Sequence, residues 1–419
     1  MFGLLIRRKS IMKANKFKSL RGHQGILLSI AVTFSVCQLV FYGSIELADT
    51  STYISAWDNY LSMGVLDPCR TPVYPILLGL GKIVMGENYK MGIVIFQHFL
   101  CILSVLPFYM IANKCTKSRN LSFWFTMSYF FIADITYNSY IMTESITCTI
   151  IVLIVYTSIR LKEAHNVNYG IILFFFLTIV VFLRPAQVYV LLILTCLWFF
   201  IWLSEGFTYA KIGLTATLLV YLIVGCYVSC FNKQYGFYGF SDVSDINQYY
   251  IMRAEKMMMY SNDSIFDSEG ELKTSVLWNE IQQKIKNGDY KSFHSEVSSA
   301  VSENRIFLLR KCIGRLFRAK DSLLFEHGTS YLFSSIYLFL PHLNFVYLLL
   351  LLYPLLYSKS DKDSSLSLMS AIIYFFVLSN VIIVLIGAQS GWGRLIYPSF
   401  PLWLLMVCQM MSRFGIMKK

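Results

Sequence analysis

Apolar residues fill this chain in long unbroken blocks, separated by short polar breaks. Blocks of about 20 residues are long enough to cross a hydrocarbon core of about 30 Å as helices. Lipid leaves no partner for an unpaired backbone group, so a spanning segment has to be a helix or part of a closed barrel. A barrel would show about 10-residue segments of alternating polarity, and these are not present. The pattern predicts ten spanning helices, at about 26–45, 91–113, 121–138, 142–160, 168–184, 186–203, 211–231, 332–357, 366–388 and 394–412. The stretch 73–86 is short, contains Pro75, three glycines and Lys82, and suits an interfacial or re-entrant helix better than a span.

The polar breaks decide the topology. With 73–86 left out of the spans, the pieces facing one side carry 18 bases against four acids, a net of +14. The pieces facing the other side sum to −2. The whole excess of +12 then lies on the first side, which the positive-inside rule identifies as the cytoplasm. Both termini are therefore expected in the cytoplasm, as a tail over 1–25 and a tail over 413–419. If 73–86 crossed, Lys114, Lys117 and Arg119 would face outward, against that rule. Between the tails come an N-terminal bundle over 26–231, with a first outer loop at 46–90, an outer domain over 232–331, and C-terminal spans within 332–412. The expected class is all-α: a polytopic helix bundle with interfacial helices in the first outer loop and a small, mainly helical extracytoplasmic domain.

Composition agrees: 56% of 419 residues are hydrophobic, 14% are charged, and the mean hydropathy is +0.56. A soluble domain carries about a quarter charged residues. The basic excess therefore reads as an orientation signal and an attraction to anionic lipid, and gives no indication of a nucleic-acid partner. The location expected is the plasma (inner) membrane, with the first 25 residues acting as tail and uncleaved anchor. None of the ten cysteines forms a Cys-x-x-Cys pair, and most sit inside apolar runs as small hydrophobes. Cys69, Cys230 and Cys312 face outward in this topology without a clear disulfide. No His or Cys spacing suggests a zinc site. His98 and His342, near outer helix ends, suit hydrogen bonds within the bundle.

The charged residues hardest to explain as scaffold converge on the outer side. Asp49 lies just past the first apolar block, in Glu46-Leu-Ala-Asp-Thr-Ser-Thr-Tyr53. Arg70-Thr-Pro-Val-Tyr74-Pro75, Thr143-Glu144, Leu183-Arg184-Pro185 and Gly391-Trp-Gly-Arg394 accompany it at the outer helix ends. Displacing a phosphate from a sugar's anomeric carbon needs a base for the incoming hydroxyl and positive charge for the departing phosphate. A carboxylate such as Asp49 can be the base. Arginine suits the phosphate because its planar fork binds two oxygens and stays charged; Arg184 and Arg394 are placed for this. Each residue also has a plainer reading. Asp49 would cap a helix, Arg70 would pair with Asp49 or Asp67, Glu144 would brace a buried network, and Arg184 and Arg394 would snorkel. The helix-spaced apolar residues from Asn304 to Arg318 interleave with Arg305, Arg310, Lys311 and Arg315. They read as a basic interfacial helix, with Arg310 or Arg315 as further phosphate contacts.

These motifs together resemble the GT-C superfamily of membrane glycosyltransferases, in the branch of protein O-mannosyltransferases and lipid A aminoarabinose transferases. Those carrying the likeness are Asp49 with Tyr53 four residues on, Arg70-Thr-Pro-Val-Tyr-Pro75, Met142-Thr-Glu144-Ser, Phe182-Leu-Arg184-Pro185, and Gly393-Arg394-Leu-Ile-Tyr397-Pro398. The likeness covers nearly all of 25–412 except 232–300. It implies an outward-facing site where a sugar passes from a polyprenyl-phosphate carrier to a glycan, lipid or protein acceptor with inversion. Asp49 corresponds to the family's first-loop catalytic acid, and Tyr53, Arg70, Tyr74, Glu144, Arg184, Arg394 and Tyr397 are the expected substrate-binding residues. Many members carry a second acid after the first; here Thr50 stands there, which favours a reaction without metal or cofactor. Two other readings remain open. One is an O-antigen polymerase or ligase using a diphosphate-linked glycan, the other a transporter of lipid-linked sugar. A transporter should show inverted repeats and mid-membrane charges, and neither is found.

Overall fold

The computed structural model describes residues 2–255, 258, 273–286, 288–310, 364–387 and 397–413. The expected span at 332–357, and with it Cys312, Arg315, His342, Arg394 and the Gly391–Gly393 turn, lies outside the described residues.

Helices make the fold. They are α1 (Phe2–Tyr42), α2 (Ala48–Met63), α3 (Val73–Met85), α4 (Tyr89–Thr116), α5 (Arg119–Ser128), α6 (Ile135–Asn138), α7 (Thr143–Ala164), α8 (Val167–Leu183), α9 (Val188–Glu205) and α10 (Thr208–Tyr235). After these come α11 (Val243–Ala254), α12 (Thr274–Ile285), α13 (Tyr290–Glu303), α14 (Ser364–Gly387) and α15 (Phe400–Arg413). Among the described residues, five stretches are long and apolar enough to cross a membrane: Gly22–Tyr42, Val73–Thr116, Thr143–Ala164, Pro185–Ser204 and Thr208–Tyr235. Val167–Leu183 and Met369–Ile383 are shorter apolar helices. The chain is a helical membrane protein.

The stretch Val73–Thr116 is broken at Gly86, which takes φ +57°, a left-handed conformation that favours glycine. There α3 folds back along α4, with Gly81 facing Ile93 and the Tyr74 hydroxyl donating to Gln97 Oε1 at 3.0 Å. Close approach also holds α2 to α3, since a Cβ on Gly79 would lie 2.0 Å from the Trp57 ring. The expected continuous span at 121–138 differs. It divides into α5, a π-helical turn over Tyr129–Asp134, and α6. The wider turn lets two consecutive rings bury in different directions. Tyr129 stacks on Phe108 at 4.2 Å and hydrogen-bonds to Ser104, while Phe130 packs with Leu27 and Tyr109.

α7 is the central element. Its side chains are buried nearly end to end, and it packs against α4, α8, α14 and α15. Mixed Thr, Ser and small β-branched side chains (Thr147, Thr149, Thr157, Ser158) let neighbouring helices come close, as at helix interfaces in membranes. A second core lies off the bundle. Ile246, Tyr249, Met252, Leu277, Ile281, Phe293 and Val297 join α11, α12 and α13. Arg253 reinforces this unit with a forked pair to Glu280, at 3.1 and 2.9 Å.

Candidate active site at one end of the bundle

Backbone pairing brings the two acidic helix starts together. The link from α1 to α2 pairs with the link from α6 to α7: the Ile45 N–H donates to Ser139 O at 2.8 Å, and the Ile141 N–H donates to Ile45 O at 3.0 Å. Thr50 fixes the join. Its hydroxyl accepts from the Leu47 N–H at 3.0 Å and donates to Ile141 O at 3.2 Å. Asp49 in the first turn of α2 and Glu144 in the first turn of α7 therefore stand close to one another, each favoured there by its helix dipole. The plainer expectation for Asp49 is corrected: Leu47 occupies the cap position, and the carboxylate faces an arginine instead.

Arg70 supplies that arginine. Its Nη2 donates to Asp49 Oδ1 at 2.7 Å, its Nε to Thr52 Oγ1 at 2.8 Å and its Nη1 to the Tyr53 hydroxyl at 3.3 Å. The guanidinium also lies 4.2 Å from the centre of the Tyr53 ring. Asp67 acts on the Arg70 backbone, where its Oδ1 accepts from the N–H groups of Cys69 at 2.9 Å and Arg70 at 2.8 Å. This local turn is of the kind Asp forms readily. Tyr60 donates to Arg70 O at 2.9 Å. Burial opposes the Arg70 charge, but Tyr53 and Asp49 outweigh it and hold the guanidinium charged.

Tyr53 joins this pair to a second one. Its ring meets Tyr74 edge to face at 4.9 Å, and Thr143 hydrogen-bonds to its hydroxyl. Burial, with the Glu144 and Asp49 charges, raises its pKa against the opposing effects of Arg70 and Thr143, so the phenol keeps its proton. Arg184 Nη1 lies 3.6 Å from Glu144 Oε1, both side chains being almost fully buried. Arg184 ends α8 in an extended conformation (φ −143°, ψ 109°) ahead of Pro185, which turns its side chain back toward α7. At 3.6 Å the contact is ionic, and Nη1 has no hydrogen-bond partner among the described residues.

The structure thus gathers Asp49, Tyr53, Arg70, Tyr74, Glu144 and Arg184 into one polar cluster at one end of the bundle. Tyr397 is buried on the neighbouring wall, edge-on to Tyr137 at 4.3 Å. Arg310 ends the described part of the basic helix and is exposed. His98 departs from expectation: it is buried, yet neither ring nitrogen is hydrogen-bonded among the described residues. Sequence reasoning missed Gln97, the hub that accepts from Tyr74 and donates to Asn138 O and Tyr140 O at 2.8 Å each. A lone Gln inside an apolar run is its only signal. Thr52 was missed too, and Thr143 was named beside Glu144 without a role of its own, because hydroxyls beside acids are common on any helix. Among the described residues no group of three or more His, Cys, Asp or Glu could hold a metal ion. Beside Asp49 stand the Arg70 cation and the Thr50 hydroxyl, the latter committed to Leu47 and Ile141.

No protein-family model matches the sequence, and no curated protein matches it. Solved structures do match in fold. The crystal structure of the Archaeoglobus fulgidus oligosaccharyltransferase, tethered with an acceptor peptide containing the NVT sequon, aligns with a TM-score of 0.54 at 13% identity. It covers 94% of this chain and 50% of that one. The archaeal oligosaccharyltransferase AglB from A. fulgidus, in complex with an inhibitory peptide and a dolichol-phosphate, aligns at 0.52 and 14% identity, covering 94% and 51%. The chain spans about half the length of these proteins. At such identity the likeness is one of fold.

Proposed function

We propose that this GT-C-type bundle is a membrane glycosyltransferase. In this reading it moves a sugar from a polyprenyl-phosphate carrier to an acceptor at the outer face of the plasma membrane, inverting the anomeric carbon. The observation that carries the reading is the Asp49–Arg70–Tyr53 cluster, set beside the buried Glu144–Arg184 pair at one end of a bundle with this fold. Asp49 is the base. It is the more exposed of the two acids, at 30% of its side chain against 4% for Glu144, so an acceptor hydroxyl can reach it. Arg70 holds and aims the carboxylate through the 2.7 Å contact, and the Tyr53 ring and hydroxyl hold Arg70.

The four charges Asp49, Arg70, Glu144 and Arg184 sum to zero, so they do not by themselves attract a phosphate. Arg184 still offers a donor, the Nη1 that makes no hydrogen bond among the described residues, and this favours it as one contact to the leaving phosphate. Arg394 and the exposed Arg310 are the further cations in this reading. The acceptor peptide held by the neighbouring oligosaccharyltransferase favours a peptide acceptor here over a free glycan or lipid. The topology that goes with the reading has both termini in the cytoplasm and needs neither metal nor cofactor.

The test is release of polyprenyl phosphate from a radiolabelled polyprenyl-phosphate sugar by the purified protein in lipid nanodiscs. Asp49→Asn keeps the shape of the side chain and should lower transfer by at least about a hundredfold. Asp58→Asn, on the same helix but paired outward with Lys82, should cost little. EDTA should leave the rate unchanged. An Asp49→Asn enzyme working at the wild-type rate would remove the catalytic assignment.

A further inference from the structure

At the other end of the bundle, α8 and α10 run side by side and enclose an apolar groove of about 520 Å³. Ile171, Phe174, Phe175, Ile212 and Leu219 line its length. The helices touch at Gly170, where a Cβ would lie 2.3 Å from Ile212 Cγ2. Ile171, Phe175 and Leu219 are each about half exposed along it, at 50, 56 and 44%. In a membrane this surface meets acyl chains.

One end of the groove is cationic. Lys211 lines it, is exposed, and makes no ion pair or hydrogen bond among the described residues. The first turn of α10, which holds Thr208 and Lys211, has no side-chain cap, so its N–H groups and the positive end of the helix dipole point toward the same place. α8 begins there as well, and Lys162 lies close by, 5.9 Å from the Tyr209 ring. The nearest acid on α7, Glu163, is taken up by Lys114 and Arg160. An apolar trough ending at the exposed Lys211 cation complements one molecule class, a lipid with an anionic headgroup.

We propose that this groove binds an anionic phospholipid, with an acyl chain between α8 and α10 and the headgroup phosphate at Lys211 and the first turn of α10. The site is separate from the acid–arginine cluster. α8 has 17 residues, so Arg184 at its far end is about 25 Å away. The bound lipid belongs to the opposite leaflet from the proposed reaction and is neither donor nor acceptor in it.

Native mass spectrometry of the purified full-length protein tests this, after incubation with equal amounts of phosphatidylglycerol and phosphatidylcholine of identical chains. The wild type should retain about fivefold more phosphatidylglycerol, the ratio expected for one cation near a lipid phosphate. Lys211→Gln should lose the preference while keeping some lipid of both kinds, and Lys211→Arg should keep it. Thr215→Trp, at an exposed position lining the groove, should reduce retention of both lipids. Equal retention of the two lipids by the wild type, or an undiminished preference in Lys211→Gln, would overturn the proposal. So would a dimer that sheds all lipid, which would make a second copy the occupant.

Discussion

Asp242 offers a quantitative test of how the link between α2 and α3 is held to the α11–α13 unit. Its backbone N–H donates to Pro68 O at 2.8 Å, two residues before Arg70. Gln234 makes paired bonds with the Leu66 backbone at 3.0 and 2.8 Å, and Tyr235 also donates to Leu66 O. The Asp242 side chain is only 2% exposed, and Oδ1 has no partner among the described residues. Burial pushes its pKa up to about 7, with Asp67 and Asp245 adding to the shift and the Cys69 thiol pulling the other way. An unfolded Asp titrates near 3.9. The folded state therefore holds this proton longer than the unfolded state does. Its stability is greatest below about pH 4, falls between about pH 4 and 7, and is level above. Three units of difference correspond to about 4 kcal/mol, and water entering an opened junction would reduce this toward about 2 kcal/mol. Asp242→Asn removes the titration. Hydrogen exchange at the Asp242 and Ile246 amides, corrected for intrinsic rates, should show wild-type protection falling by about 20- to 90-fold from pH 5 to 8, because part of the linkage is already lost between about pH 4 and 5. The variant should show a flat profile. An equal fall in both proteins would mean that some other group governs the junction.

Other outcomes follow from the same contacts. Tyr53→Phe removes the acceptor for Arg70 and the partner of Thr143 while keeping the ring; it should lower kcat by about tenfold with little change in thermal stability, a loss of roughly 1–2 kcal/mol. Glu144→Gln leaves Arg184 as an uncompensated buried charge and should cost about 3–5 kcal/mol of stability in detergent unfolding, whereas Glu144→Gln with Arg184→Met should recover most of it. Arg184→Ala should slow sugar transfer by tens- to thousands-fold, about 2–4 kcal/mol, and Arg184→Lys should restore only part; full activity in Arg184→Ala would move the phosphate contact to Arg394 or Arg310. Gly79→Leu drives a side chain into the Trp57 ring and should separate α2 from α3, costing about 1–3 kcal/mol and lowering the yield of folded protein.

The all-helical class was legible in the chain because lipid makes one demand on every span. A block of about 20 apolar residues has to be helical, whatever its neighbours are. The residues of the cluster were legible for the same reason in reverse. Asp49, Glu144 and Arg184 stand out because charge is costly at a membrane boundary, and Tyr53 follows Asp49 by one helical turn. What the sequence left open was partnership. Arg70 had two candidate acids, and only the fold assigns its side chain to Asp49 and its backbone to Asp67. The Glu144–Arg184 pair joins residues on two helices. Gln97, Thr143 and the Asp242 junction gain their roles from elements far away in the chain. The π-helical turn at Tyr129 was invisible for a related reason: apolar runs look alike on every face, so hydropathy fixes that a helix forms without fixing which side it buries. In this protein the hydrophobic pattern chose the elements, and close packing at Gly79, Gly81 and Gly170, with the Ile45–Tyr140 pairing, chose which side chains would meet.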